Sequence, residues 1–287
     1  MLTPTREQRD LYGNLLLLCR NHHGEIDRQP DTWPVTRLQQ VKNYHEEWVR
    51  QSLPGYDSQK QRDDEIYAGY IDEWARRCHL DTWLEWTSWP LSGGQPSLSA
   101  NVEEDLAELR RWLLRRIWPG RYHSLERAFS NFARVLQDFH NVFHEHAEKP
   151  PHDPDKFYTN KFYKIDRWDD DLYHRLHAQY EHHVDLVQDL VLELTRAANL
   201  ICDEVRANLL ASFHMSEGRL SIQTGPHADL SWHETVVQYD AAERAAALPY
   251  PSLDAFLTAR SERDMYFGSK PAPAQARAAP EGGSTAD

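Results

Sequence analysis

The run from Asp169 to Leu210 constrains this chain more than any other part of it. No Gly or Pro interrupts the run, and Leu172, Leu176, Tyr180, Val184, Val187, Val191, Leu194, Ala198, Ile201, Val205 and Leu209 recur every third or fourth position. That spacing puts their side chains on one face of a helix. At 1.5 Å per residue the helix would be roughly 60 Å long. An isolated helix cannot bury such a face, so the helices before it must pack alongside. The spacing predicts an antiparallel bundle around one long helix.

The partners are legible upstream. Ser124 to His146 repeats Leu125, Phe129, Phe132, Leu136, Phe139 and Phe143, an apolar stripe at helical spacing. Val102 to Trp118 follows Asn101, a good N-cap residue, repeats Leu106, Leu109, Leu113 and Ile117, and stops at Pro119-Gly120. Arg62 to Trp89 reads as helical and rich in tryptophan, ending in the loop sequence PLSGGQPS. Arg219–Thr224 and Thr235–Tyr239 alternate like two paired strands, and a short helix follows Ser252. Residues from Gly268 are rich in Ala, Pro and Gly and poor in aromatics, which predicts a disordered tail.

Near the N-terminus the pattern changes. Pro34 to Gln51 is an amphipathic helix by its Val35, Leu38, Val41, His45 and Trp48 spacing. Leu15 to Cys19 is strand-like and leads into Arg20-Asn21-His22-His23-Gly24-Glu25-Ile26-Asp27. Residues 1–50 carry equal numbers of acidic and basic side chains, so the whole net charge of −13 lies downstream. That shift and the turn sequence Leu53–Gln59 suggest a boundary near residue 55. The predicted organisation is 1–55, 56–267 and the tail 268–287.

The acid excess argues against general coating of nucleic acid, which needs clustered cations, and leaves only local contact. The opening residues lack the apolar core of a secretory signal, and no stretch is long and apolar enough to span a bilayer. Cys19, Cys78 and Cys202 are too few for a disulfide framework. A cytoplasmic protein without a membrane partner is therefore expected. No phosphate-cradling Gly-rich loop, nucleophile elbow or Cys-x-x-Cys pair is present, which disfavours nucleotide-dependent and redox enzymes.

The segment Asn14–Asp27, NLLLLCRNHHGEID, with KNYHEEW at Lys42–Trp48, resembles the C-terminal part of the HNH endonuclease family. The resemblance covers at most residues 1–50. It implies a partial ββα-metal module, with Asn14 and His23 on the second and third letters of the HNH pattern. His23 would then be a catalytic metal ligand, with His22 beside it, and Asn14 would fasten the loop between strands. The implied cofactor is a divalent cation (Mg, Mn or Zn), and the implied partner is nucleic acid, DNA ahead of RNA. Cys19 and His22 fall where relatives keep two of four structural zinc ligands, but the upstream Cys pair is absent. Residues 1–13 contain no His, so the family's general base is missing: either that strand is lost or it lies upstream of Met1. The plainer reading of His22 and His23 is a helix start with solvated imidazoles.

Three further patterns stay open. His140 and His144 sit at i and i+4, with His146 beyond them and His182 and His183 on the long helix. They are either a metal-binding set or hydrogen-bonded surface histidines. Arg110, Arg111, Arg115 and Arg116, interleaved with Trp112 and Trp118, form a basic aromatic cluster that with Arg20 could contact nucleic acid. The alternative is a solvated Arg face above core tryptophans. Thr195, Arg196 and Asn199 inside the long helix are either a buried network or a ligand contact.

The fold class expected is mainly α: a partial ββα module, then an antiparallel bundle with one long helix and a small C-terminal β-hairpin. The function expected is metal-dependent nucleic-acid cleavage or a degenerate descendant of it. A non-enzymatic helical interaction or scaffold protein is the alternative. The long helix exceeds what three shorter helices cover, which leaves room for a homo-oligomer.

Overall fold

The computed structural model describes residues 15–52, 58–226 and 229–263. Asn14 and the tail from Gly268 lie outside them. The chain forms two compact units, Met1–Arg62 and Asp63–Asp287. The division falls past the expected boundary near residue 55, inside a helix.

In the first unit, α1 (Arg20–Arg28) and α2 (Val35–Ser52) are joined by a tight turn. Arg37 holds that turn by donating to the Thr32 carbonyl (2.8 Å) and stacking over the Trp33 ring (4.2 Å). The strand expected at Leu15–Cys19 does not form. Among the described residues of this unit nothing pairs with it, and Leu15 instead gives its carbonyl to Lys42 Nζ (2.8 Å). The α2 helix agrees with its periodicity, yet Val35, Val41 and Trp48 on its apolar face are exposed. No described apolar residue of this unit is buried, so little tertiary packing supports its helices.

The second unit is mainly α, as expected. Its long helix is α7 (Asp170–Asn208), started by the Asp169 carboxylate, which accepts from the Leu172 N–H at 2.9 Å. Against it lies α6 (His123–Glu145), whose stripe Leu125, Phe129, Phe132, Leu136, Phe139 and Phe143 is buried throughout. Each such side chain contributes about 1.5–3 kcal/mol. The two helices are antiparallel: Asn208 Nδ2 reaches Ser124 Oγ (3.3 Å) at one end, and the His146 and His183 rings meet (4.7 Å) at the other.

The middle of α7 is enclosed all round, not along a single stripe. Every residue from Leu186 to Cys202 is buried. The other sides are covered by α4 (Trp83–Leu91), the hairpin β4–β5 (Ser221–Thr224 and His233–Val236) and α9 (Leu253–Arg263). Trp83 donates to Thr195 Oγ1 (3.2 Å), and Arg260 pairs with Asp189 (2.5 Å). In the hairpin Ser221 faces Val236.

Three sequence expectations need correction. The helical run Arg62–Trp89 is two helices, α3 (Ser58–Arg77) and α4, separated by a single 3₁₀ turn at Leu80–Thr82. The break is tertiary in origin. His79 adopts φ 52° and reaches Asp105 (2.9 Å), while Trp86 Nε1 takes the Cys78 carbonyl (3.1 Å). The next helix, α5 (Ala100–Leu114), is capped by Ser99, not Asn101, and ends before Ile117, which is exposed. Finally, a small antiparallel sheet was not foreseen. It has the order β1-β3-β2, with β1 Ser97–Ser99, β2 Ala147–Glu148 and β3 Lys156–Thr159. Strands of two to four residues are too short for alternation to show. A short helix α8 (Ala241–Ala245), closed by an Asp240–Glu243 capping box, precedes α9. No helix among the described residues is long and apolar enough to cross a membrane.

Candidate functional site

The first candidate is the start of α1. Cys19 occupies the N-cap position in extended conformation (φ −73°, ψ 160°), and its carbonyl accepts the first helical bond from the His23 N–H (3.0 Å). His22 and His23 therefore sit in the first turn. Successive helix residues point about 100° apart, and the two rings take separate partners. Cys19 Sγ lies 3.1 Å from His22 Nδ1, whereas His23 Nδ1 lies 2.9 Å from the Asp27 carboxylate one turn on. An ionised carboxylate only accepts, so His23 Nδ1 carries the proton and a neutral ring keeps its lone pair on Nε2. The ring is 68% exposed, so that lone pair is open to an incoming ligand. A carboxylate behind one imidazole nitrogen is the usual support of a metal-binding histidine. Arg20 is exposed on the same turn.

The arginines in and just after α5 do not act together. Arg110 donates to His140 Nδ1 (3.2 Å). Arg116 binds the Trp112 carbonyl (3.1 Å) and lies over the Trp112 ring at 4.7 Å. Arg115 is the exposed C-cap residue. Arg110 and Arg111 line a groove of about 880 Å³ floored by Leu113, Trp118 and Phe129. Arg134, which the linear pattern did not single out, also lines it and donates to the Pro251 carbonyl (2.9 Å). The other tryptophans are mostly core: Trp74, Trp83 and Trp86 are buried, and Trp74 meets Phe129 and Phe132 edge-on. Trp89 is exposed, under Lys156 Nζ (3.8 Å).

The polar residues within α7 form a buried network. Asn199 donates to the Leu220 and Val237 carbonyls (2.9 and 3.0 Å) and accepts from the Leu220 N–H (3.0 Å), so one amide clamps both sides of the hairpin. Tyr239 donates to Glu193 (2.6 Å) and accepts from Asn131 (2.9 Å), while Arg196 approaches Glu193 at 3.3 Å. Thr195 donates to the Val191 carbonyl (2.9 Å).

The histidines divide into two groups. His140 and His144 converge on Glu103 of α5, a residue the linear pattern gave no reason to include. His146 instead joins buried His183 and lies tilted against the Phe162 ring (4.2 Å). Burial holds the His183 imidazole down to about 4, with His146 and His182 adding to the effect.

No family model matches this chain, and neither the curated proteins nor the solved structures contain a match.

Proposed function

We propose that the first unit is part of an HNH-type metal site and that the protein is a metal-dependent nucleic-acid endonuclease or a catalytically degenerate descendant of one. The observation that carries this reading is His23: exposed, at the start of a helix, with Asp27 fixing its proton on Nδ1 and leaving Nε2 to a cation. The donor set fits a divalent metal only in part. His23 is the residue that would hold it, and His22, turned toward Cys19, is at most an outer neighbour. When bound, such a cation neutralises the charge that develops on a phosphodiester and acidifies its water. Asp27 orients the imidazole. Arg20 on the same turn would meet phosphate, with DNA as the first substrate to try. Residues 1–13 contain no His, and a general base contributes about 10²- to 10⁴-fold to such a reaction.

The test has two arms. Mn²⁺ binding by calorimetry is expected for the full chain carrying Glu103→Gln and His144→Ala, and is lost when His23→Ala is added. Cleavage of plasmid and single-stranded DNA is expected near background, rising when a His-bearing strand is fused before residue 1, with the rise abolished by His23→Ala. Metal binding that ignores His23 would overturn the reading and leave the non-enzymatic helical interaction protein in its place.

A further inference from the structure

We propose that Glu103, His140 and His144 form a second site, in the helical unit, for a divalent transition metal of the zinc type. The three come from two antiparallel helices. α5 supplies Glu103 from its first turn, and α6 supplies His140 and His144, which share a face at i and i+4. Glu103 Oε1 lies 2.9 Å from His144 Nε2 and 3.4 Å from His140 Nε2, and the rings are 4.3 Å apart between centroids. Zinc bonds of about 2.0–2.2 Å at tetrahedral angles separate neighbouring ligand atoms by roughly 3.3 Å. The two separations from Glu103 thus bracket the spacing a cation imposes, and all three donors lie within 4.8 Å of one another. Two imidazoles and one carboxylate are the ligand chemistry of zinc and its neighbours, and three protein ligands leave a position for water.

The surroundings hold this set in order. Glu103 Oε1 faces the Nε2 atoms of both rings. His144 is braced edge-on by Phe143 (5.5 Å) and Phe157 (5.4 Å), the latter from β3. All three side chains are less than a third exposed. The rival cluster, Glu145, His146 and His183, is less converged: Glu145 is 67% exposed and 3.9 Å from His146.

One group opposes the metal. Arg110 donates to His140 Nδ1, which puts the ring proton on Nε2, the atom a metal needs bare. Binding therefore requires the His140 proton to move to Nδ1 and Arg110 to withdraw. Arg110 lines the 880 Å³ groove and can swing into it. Arg110 is on this account a brake on affinity.

The experiment uses the full chain carrying His22→Ala and His23→Ala, so that the N-terminal histidines cannot contribute, with Zn²⁺ followed by calorimetry and Co²⁺ by visible absorption. One equivalent is expected to bind. His144→Ala and Glu103→Gln are expected to weaken binding at least tenfold, while His183→Asn leaves it unchanged. Arg110→Ala is expected to tighten it several-fold. Circular dichroism melts without metal check that each variant folds; if His144→Ala or Glu103→Gln does not fold it is replaced by His140→Gln, which is also expected to weaken binding at least tenfold. No binding by the parent chain, binding indifferent to Glu103 and His144, or loss on His183→Asn would overturn the proposal. None of these outcomes bears on His23.

Discussion

Asn199 is the side chain whose removal should cost the fold most for its size. It is 1% exposed in the enclosed part of α7, and its amide makes three hydrogen bonds to the backbone of the hairpin segment, two as donor and one as acceptor. Truncation to Ala removes all three and strands the Leu220 N–H and carbonyl and the Val237 carbonyl where water does not reach easily. A neutral hydrogen bond contributes about 1 kcal/mol net, and a stranded buried partner costs about 1–3 kcal/mol. Relaxation of the hairpin will recover some of this, so about 3–5 kcal/mol is expected. For a domain of this size that lowers the melting temperature by roughly 6–20 °C, at about 2–4 °C per kcal/mol. Calorimetry of Asn199→Ala measures it directly. Asn199→Asp is the sharper variant: it keeps the acceptor for the Leu220 N–H but aims a carboxylate at two carbonyl oxygens, so it should be at least as unstable near neutral pH. Hydrogen exchange adds a local readout, since the Leu220 amide should lose protection before the rest of the hairpin. A shift under about 3 °C, with Leu220 still protected, would refute the claim that this amide clamps the hairpin to the helix.

Leu194→Asp places a carboxylate on a fully buried position of α7 and should cost about 3–5 kcal/mol; a melt like that of the parent would mean that α7 is not the centre of the bundle. Acid should weaken the fold in two windows. His183 titrates near 4 in the fold against 6.5 unfolded, so its contribution is complete above pH 6.5 and is lost as pH falls to 4, by up to about 3 kcal/mol. His183→Phe should flatten that limb of the stability profile, and a profile unchanged by the substitution would refute it. Glu103 is ionised in the fold down to about 2, so its contribution is lost between its ordinary value of 4.5 and 2, and Glu103→Gln should remove that second limb.

Periodicity carried the parts of the fold in which one side of an element decides its place. The apolar spacing of α6 and α7 located both helices to within a residue or two, because a helix buried on a continuous stripe repeats its signal many times. It could not locate the end of α3, where a left-handed His79 and the Trp86 indole, rather than any Gly or Pro, turn the chain. It also could not choose between a buried network and a ligand contact for Thr195, Arg196 and Asn199, since spacing along one helix does not say what covers its polar side. They are buried because the hairpin and α4 close over that face, and both arrive from segments distant in sequence.

The same limit governs the two candidate sites. His22 and His23 were visible as a motif because their meaning is local: the N-cap, the first helical turn and Asp27 all lie within nine residues of chain. Glu103 was not visible beside His140 and His144, because only the antiparallel register of α5 and α6 joins them. That register sets Glu103 against His144 and Arg110 against His140. The seven-residue step from Glu103 to Arg110 spans about two turns of helix, so one face of α5 presents a carboxylate at one end of the histidine pair and a guanidinium at the other. A metal needs the first and is opposed by the second. Whether His140 serves Glu103 or a cation therefore turns on Arg110, a residue that composition alone would have assigned to nucleic acid.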